Sequence, residues 1–491
     1  MAIEESTFFL TVSELAGGLR DGSFSSVELT RAYLDRAEEL DVPPFDLPSE
    51  PREDHQGKLA TMVTIARDHA LASAERADRE LAAGDPRSIL HGLPYGVKDL
   101  LDTRGIRTTW GSGIFRDRIP DRNAAVIDRL EEAGAVMMAK NSLGEFAGGN
   151  TSSALNPWKL DRTSCGSSSG TVSAAVAGLI GFGIGTETGG SIVFPASAVG
   201  ASGLRPTFGR VSRFGCMALS WSLDKIGPVG RSAEDCGHVL EVIAGRDARD
   251  TSTADRPFHF RADPGSMRGR RLGVHRSEFL LSQSETTRRV FQEALDVFAE
   301  MGVEIEDIEL PRFPTGALFT TIVTVESGTN FRSLFDDGRA AQMFSFNEDR
   351  RAGWMAGRML PAADYLTAQR VRNQLVREAD EIVSRYDAVI APTWPNGAAL
   401  RVVRDGWPIP ARNEWEPPDD VSGATPRLNY IANLVGHPGL AIPCGFDEDG
   451  LPLSLQIVGS PMDDQAVLDF GMAFQRETDW HRRRPPFPWR E

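Results

Sequence analysis

Apolar positions along this chain fall into two alternating periodicities. Over residues 25–40, SSVELTRAYLDRAEEL, Val27, Leu29, Tyr33, Ala37 and Leu40 recur near one face of a helix. Ser25 and Glu28 supply the S-x-x-E pattern that caps its start. Residues 65–83, rich in Ala and charged groups, predict a second helix. LPYGVKDLL, 93–101, reads as a strand, and a helix over 124–133 leads through Gly134 into AVMMAK, 135–140, a buried strand. The order then repeats. RRLGVHR (270–276) predicts a strand, TTRRVFQEALDVFAEMG (286–302) a helix closed by Gly302, and VEIEDIEL (303–310) an alternating strand. YDAVIAP, GLAIPCGF and LPLSLQIVG add strands in the last third. Residues 45–56 are Pro- and acid-rich and predict a loop. Strands alternating with helices predict an α/β fold: one large domain over 1–491, with a central mixed, mostly parallel β-sheet covered by helices.

Composition narrows the function classes. With 491 residues and 41% of them hydrophobic, the chain can bury a large core. A net charge of −16 argues against a nucleic-acid surface, which needs Lys and Arg concentrated on one face. The four cysteines (Cys165, Cys216, Cys236, Cys444) are far apart and form no CxxC or His/Cys cluster, so neither zinc nor a disulfide framework is expected. Reduced thiols fit a cytoplasmic location. The acidic start, MAIEESTFFLTVSELAGG, does not read as a secretory signal, and no run of about 18 apolar residues predicts a membrane span.

The chemistry concentrates around GIGTETGGSIVFPAS, 183–197, where Ser191 follows a stretch almost stripped of side chains. A serine needs a base to become a nucleophile. Eight histidines are scattered along the chain, none between 163 and 191. GSSSG, 166–170, matches the G-x-S-x-G elbow around Ser168, but polar NPWKLDRTSC precedes it where a buried strand is required. GxxxxGK[ST] is absent, and GFGIGTETGG does not fit G-x-G-x-x-G, so no nucleotide cofactor is implied. Lys98 is a different base: a lysine in an apolar strand loses preference for its charged form and can accept a proton near neutrality. The competing reading pairs it with Asp99. Ser164, Ser167, Ser168 and Ser169 cluster before an Ala-rich helix, more serines than one helix cap explains. The 24 residues from Ser167 to Ser191 leave room for one helix and one strand to bring the second serine back beside the first.

These stretches resemble the amidase signature family. Its serine pattern reads here as CGSSSGT (165–171) and GTETGGSIVFPA (185–196), and LPYGVKDLLDTRGIRTTWGS (93–112) is similar to its lysine segment. The likeness extends through AVIDRLEEAGAVMMAKNSLGEFA (125–147), GLRPTFGRVSRFG (203–215) and SWSLDKIGPVGRSAEDC (220–236) to the C-terminal strands. It covers about residues 11–485, with a core at about 93–236 and a variable substrate-loop region at about 311–425. The resemblance implies Ser191 as nucleophile, Ser167 as a middle serine on a cis peptide, and Lys98 as base. The N–H groups of Thr188, Gly189, Gly190 and Ser191 are the expected oxyanion hole, with the glycines letting the backbone approach the substrate. Two departures matter: Glu187 stands where Asp is usual, and Val193 replaces the usual Arg, which leans toward neutral, apolar substrates unless Arg205 or Arg213 compensates.

The implied activity is cleavage of an amide C–N bond, with carbamates and esters as further substrates, through an acyl-enzyme and without cofactor or metal. The expected partners are a small neutral amide, carbamate or ester and water, with no nucleic acid and no membrane; a homodimer is left open. The alternative within the same family is an amidotransferase subunit supplying ammonia from glutamine to a partner enzyme. Specificity is expected from loops in 311–375 and 394–425, where 344–360 and 394–410 carry aromatics and methionines.

Overall fold

The computed structural model describes residues 3–41, 58–148, 154–282, 284–343, 348–404, 407–410 and 427–487. The loop read over 45–56 lies outside them, as do parts of the two expected specificity stretches.

Eleven strands form one sheet: β1 (Met62–Ile65), β2 (Pro94–Lys98), β3 (Val136–Asn141), β4 (Phe182–Glu187), β5 (Ser202–Arg205), β6 (Lys225–Gly230), β7 (Arg271–Val274), β8 (Glu304–Asp307), β9 (Ala388–Pro392), β12 (Gly439–Phe446) and β13 (Pro452–Val458). A separate antiparallel pair, β10 (Arg401–Arg404) and β11 (Trp407–Pro410), completes the count among the described residues. The spatial order is β1-β3-β2-β4-β6-β5-β12-β13-β9-β7-β8. The sheet is mixed, as expected, but its parallel character is confined to two patches. β2 runs parallel to β3 and β4, and β7 runs parallel to β8 and β9. Every pairing from β4 through β6, β5, β12 and β13 to β9 is antiparallel, as is β1 with β3. The physical reason is connection type: helical crossovers join the parallel neighbours, whereas the Asp447–Gly450 turn joins β12 directly to β13.

The helices read from periodicity form where expected. Ser25 Oγ accepts the Glu28 N–H and the Glu28 side chain returns the bond, capping Ser26–Leu40. Arg67–Ala82 and Glu285–Glu300 follow their apolar stripes. The strands β2, β3, β4 and β6 are buried along their whole length, because helices cover both faces. That double cover places the ends of β2 and β4 deep in the molecule, and both ends carry site residues. Among the described residues no helix is long and apolar enough to cross a membrane.

Candidate active site

β2 ends at Lys98, which is completely buried. Its Nζ lies 2.7 Å from Ser167 Oγ, 2.9 Å from Thr186 Oγ1 and 3.2 Å from the Thr186 carbonyl. The pairing with Asp99 does not form: Asp99 accepts from the Thr109 N–H at 2.9 Å and lies 4.0 Å from Lys140. Burial pushes the Lys98 amine down to about 7, against the pull of Cys216, Asp224 and Glu187. Counting donors explains why both protonation states fit. A neutral amine gives two N–H groups to Thr186 and turns its lone pair toward the Ser167 hydroxyl; a charged one donates to all three oxygens. The proton can therefore arrive or leave without breaking the shell.

The turn that carries Ser167 is unusual. Cys165 has φ +59° and the Gly166–Ser167 peptide is cis. Ser167 is completely buried. Ser168 is buried too, its Oγ bonded to both the Thr186 carbonyl (3.1 Å) and the Thr186 N–H (3.3 Å), so it is not the exposed hydroxyl of a nucleophile elbow. The helix Ser169–Val176 and β4 then fill the interval to Ser191, as the spacing predicts. The Ser168 N–H donates to the Ser191 carbonyl at 3.1 Å, which sets the two serine segments side by side. Ser191 itself is half-buried. Accessibility thus rises from lysine to outer serine. The hydrogen bond formed is Lys98 to Ser167, with none between the two hydroxyls among the described residues.

The loop before Ser191 is held by its oxygens and leaves its nitrogens free. The Gly190 carbonyl accepts from the Phe194 N–H at 2.8 Å, and the Gly189 carbonyl accepts from Asn429 Nδ2 at 3.1 Å. Among the described residues, the N–H groups of Gly189, Gly190 and Ser191 donate to no protein acceptor. Gly190 has φ +130°, a conformation that L side chains rarely adopt. A Cβ there would lie 2.4 Å from the Phe194 ring, and one at Gly189 would lie 2.3 Å from the Phe319 ring. Thr188 is anchored separately, its Oγ1 donating to Asp224 at 2.6 Å.

Glu187, at the end of β4, organises what lies beneath the loop. Its Oε2 accepts the N–H groups of Ile192 (2.8 Å) and Val193 (3.0 Å), capping the helix Val193–Val199. Its Oε1 accepts from Arg205 at 2.7 Å and Asn433 at 2.8 Å. Burial raises its pKa, but Arg205 and Lys225 outweigh that and hold the carboxyl below the usual range. Sequence reasoning identifies Glu187 only as a departure and misses Asn429 and Asn433, which lie more than 200 residues away in the chain. Val193, at the position of the usual Arg, is completely buried. Neither Arg205 nor Arg213 compensates. Arg205 is committed to Glu187, Asn429 and the His437 carbonyl. Arg213 is committed to Asp250, Ser252 and the Trp221 carbonyl.

Comparison with known proteins finds matches along nearly the whole chain. A family model described as Amidase matches residues 51–468. The A-subunit of glutamyl-tRNA(Gln) amidotransferase from Roseiflexus sp. (strain RS-1) is 35% identical over 98% of both chains. The structure is similar to native peptide amidase from Stenotrophomonas maltophilia, with a TM-score of 0.78 and 29% identity over 97% of this chain and 98% of that one. A bacterial aryl acylamidase of the amidase signature family superposes with a TM-score of 0.83 over 97% of this chain and 98% of that one; at 21% identity the likeness is one of fold.

Proposed function

Since this chain belongs to the amidase signature family and is an enzyme acting on amide C–N bonds, we propose that it does so with Ser191 as nucleophile, Ser167 as proton relay and Lys98 as base. Neutral Lys98 takes the Ser167 proton while Ser167 takes the Ser191 proton. Ser191 Oγ then bonds to the carbonyl carbon, and the carbonyl oxygen gains the negative charge. The free N–H groups of Gly189, Gly190 and Ser191, with that of Thr188 beside them, receive that charge. When the C–N bond breaks, the proton held at Lys98 returns through Ser167 to the departing nitrogen, which leaves as a neutral amine or ammonia. Water gives up a proton along the same path, attacks the acyl-enzyme, and restores Ser191. The observation that carries the reading is the 2.7 Å contact between a buried amine with a pKa near 7 and Ser167.

Two readings of the substrate each rest on a specific observation. The sequence relatives favour the ammonia-supplying role, because amidotransferase chains align over nearly the whole of both sequences. Half-buried aromatic rings packed on Gly189 and Gly190 favour a free hydrolase of neutral amides, with carbamates and esters as further acyl donors. The purified chain, assayed alone with glutamine and with a nitroanilide, separates them. Nitroanilide turnover lost in Ser191→Ala supports the hydrolase. Glutamine hydrolysis in preference to the anilide, or silence on both until a partner enzyme is added, supports the ammonia-supplying role. If turnover persists in Ser191→Ala, the nucleophile assignment falls altogether.

A further inference from the structure

Four aromatic side chains form a connected set, two members of which pack on the loop before Ser191. Phe194 comes from the helix that follows the serine, Phe319 from the helix Thr315–Asn330, Trp394 from the segment after β9, and Tyr430 from the helix Leu428–Val435. Phe194 meets Trp394 edge to face at 5.3 Å between centroids, and Tyr430 lies 6.3 Å from Phe194 and 5.8 Å from Phe319. The set is therefore continuous: Trp394, Phe194, Tyr430, Phe319. Two of its rings press directly on Gly189 and Gly190, the residues with free N–H groups. All four rings are only half-buried, although the surrounding elements are packed. Rings that leave apolar faces open beside an electrophile-binding loop have area to offer a ligand. Arg427 stacks 5.6 Å above Trp394 and spends its charge on Glu278 at 2.8 Å.

We infer that Phe194, Phe319, Trp394 and Tyr430 form a specificity pocket that selects substrates bearing an aromatic or bulky apolar group beside the scissile carbonyl. This rests on the reading that Ser191 attacks that carbonyl. The physical ground is area. An aromatic group placed against several rings buries apolar surface on both partners, whereas a small polar acyl group leaves the rings wet. Glutamine, with only two methylenes between its amide and its charged backbone groups, gains little from such a wall.

Covalent labelling tests this apart from turnover. Phenylmethanesulfonyl fluoride and methanesulfonyl fluoride both transfer a sulfonyl group to a serine oxygen with loss of fluoride, and they differ by one ring. Their labelling rates at Ser191, each normalised to its rate of hydrolysis in buffer, are followed by intact mass and peptide mapping. The expected wild-type preference for the phenyl reagent is at least about tenfold, falling at least about threefold in Trp394→Ala or Phe319→Ala. Normalised rates equal within about twofold in the wild type, or a preference unchanged in both variants, overturn the pocket. If neither reagent labels Ser191 while the protein is folded, the nucleophile assignment fails, and the pocket assignment fails with it.

Discussion

Lys98 Nζ and Ser167 Oγ are 2.7 Å apart in a part of the molecule that water does not reach. In the proposed mechanism that contact joins a general base to a hydroxyl without histidine, and it depends on the burial of the end of β2. In water an amine near pKa 10.4 would be charged at neutral pH and useless as a base. Here desolvation brings it to about 7, so the neutral form is well populated near physiological pH.

Removing either hydroxyl should stop the chemistry while leaving the fold. Ser191→Ala is expected to lower kcat on a nitroanilide by about four to six orders of magnitude. Ser167→Ala should come close to the same loss, because residues acting as one unit are not additive. The Ser167→Ala, Ser191→Ala double variant should be no worse than Ser191→Ala alone. Circular dichroism and steady-state kinetics on the three proteins check this.

Gly190→Ala should damage both activity and stability. The φ of +130° strains any L residue by about 1–3 kcal/mol, and the new methyl would start 2.4 Å from the Phe194 ring. A displaced oxyanion donor costs about 10²–10³ in kcat. Stopped-flow kinetics and a thermal melt are the measurements; a variant with wild-type kcat would remove this loop from the oxyanion role.

Glu187→Ala tests the charge under the loop. It strands Arg205, which is fully buried, and a broken buried pair costs about 3–5 kcal/mol. Glu187→Asp keeps the charge but shortens its reach to the Ile192 and Val193 N–H groups beside Ser191, so it should lose less stability and less kcat than Glu187→Ala, which removes both acceptors. Urea unfolding with parallel assays reads both. The pH dependence follows from the sign of the shift. The folded-state pKa lies below the unfolded one, so the stabilisation is complete above about pH 4.3 and is lost only as pH falls through the lower, folded value.

The parts of the site legible in the sequence are those written in contiguous stretches. Lys98 interrupts an apolar strand, and the serines and glycines sit in two short runs separated by a helix and a strand of countable length. The rest depends on contacts across hundreds of residues. Nothing near Asn429 or Asn433 announces that their amides reach Glu187 and the Gly189 carbonyl. Phe319 lies in a helix whose apolar pattern gives no hint that one ring packs on a glycine of the loop. The loop stretches singled out for specificity divide in two. Trp394 joins the aromatic set, while Trp354 is buried against Phe331 in ordinary packing and Met359 is 81% exposed. The sheet is less parallel than the pattern predicts, because alternation of helix and strand says nothing about strands joined by tight turns, such as β12 and β13.

The most direct test of the whole account is the pH dependence of Ser191 sulfonylation by phenylmethanesulfonyl fluoride in wild type and in Lys98→Ala. The base works only when deprotonated, so the wild-type rate should rise about tenfold per pH unit below an inflection near 7 and level off above it. Lys98→Ala should be slower throughout and show no inflection there. The same inflection in both proteins, or a flat profile in the wild type, would contradict a buried neutral lysine as the acceptor of the serine proton.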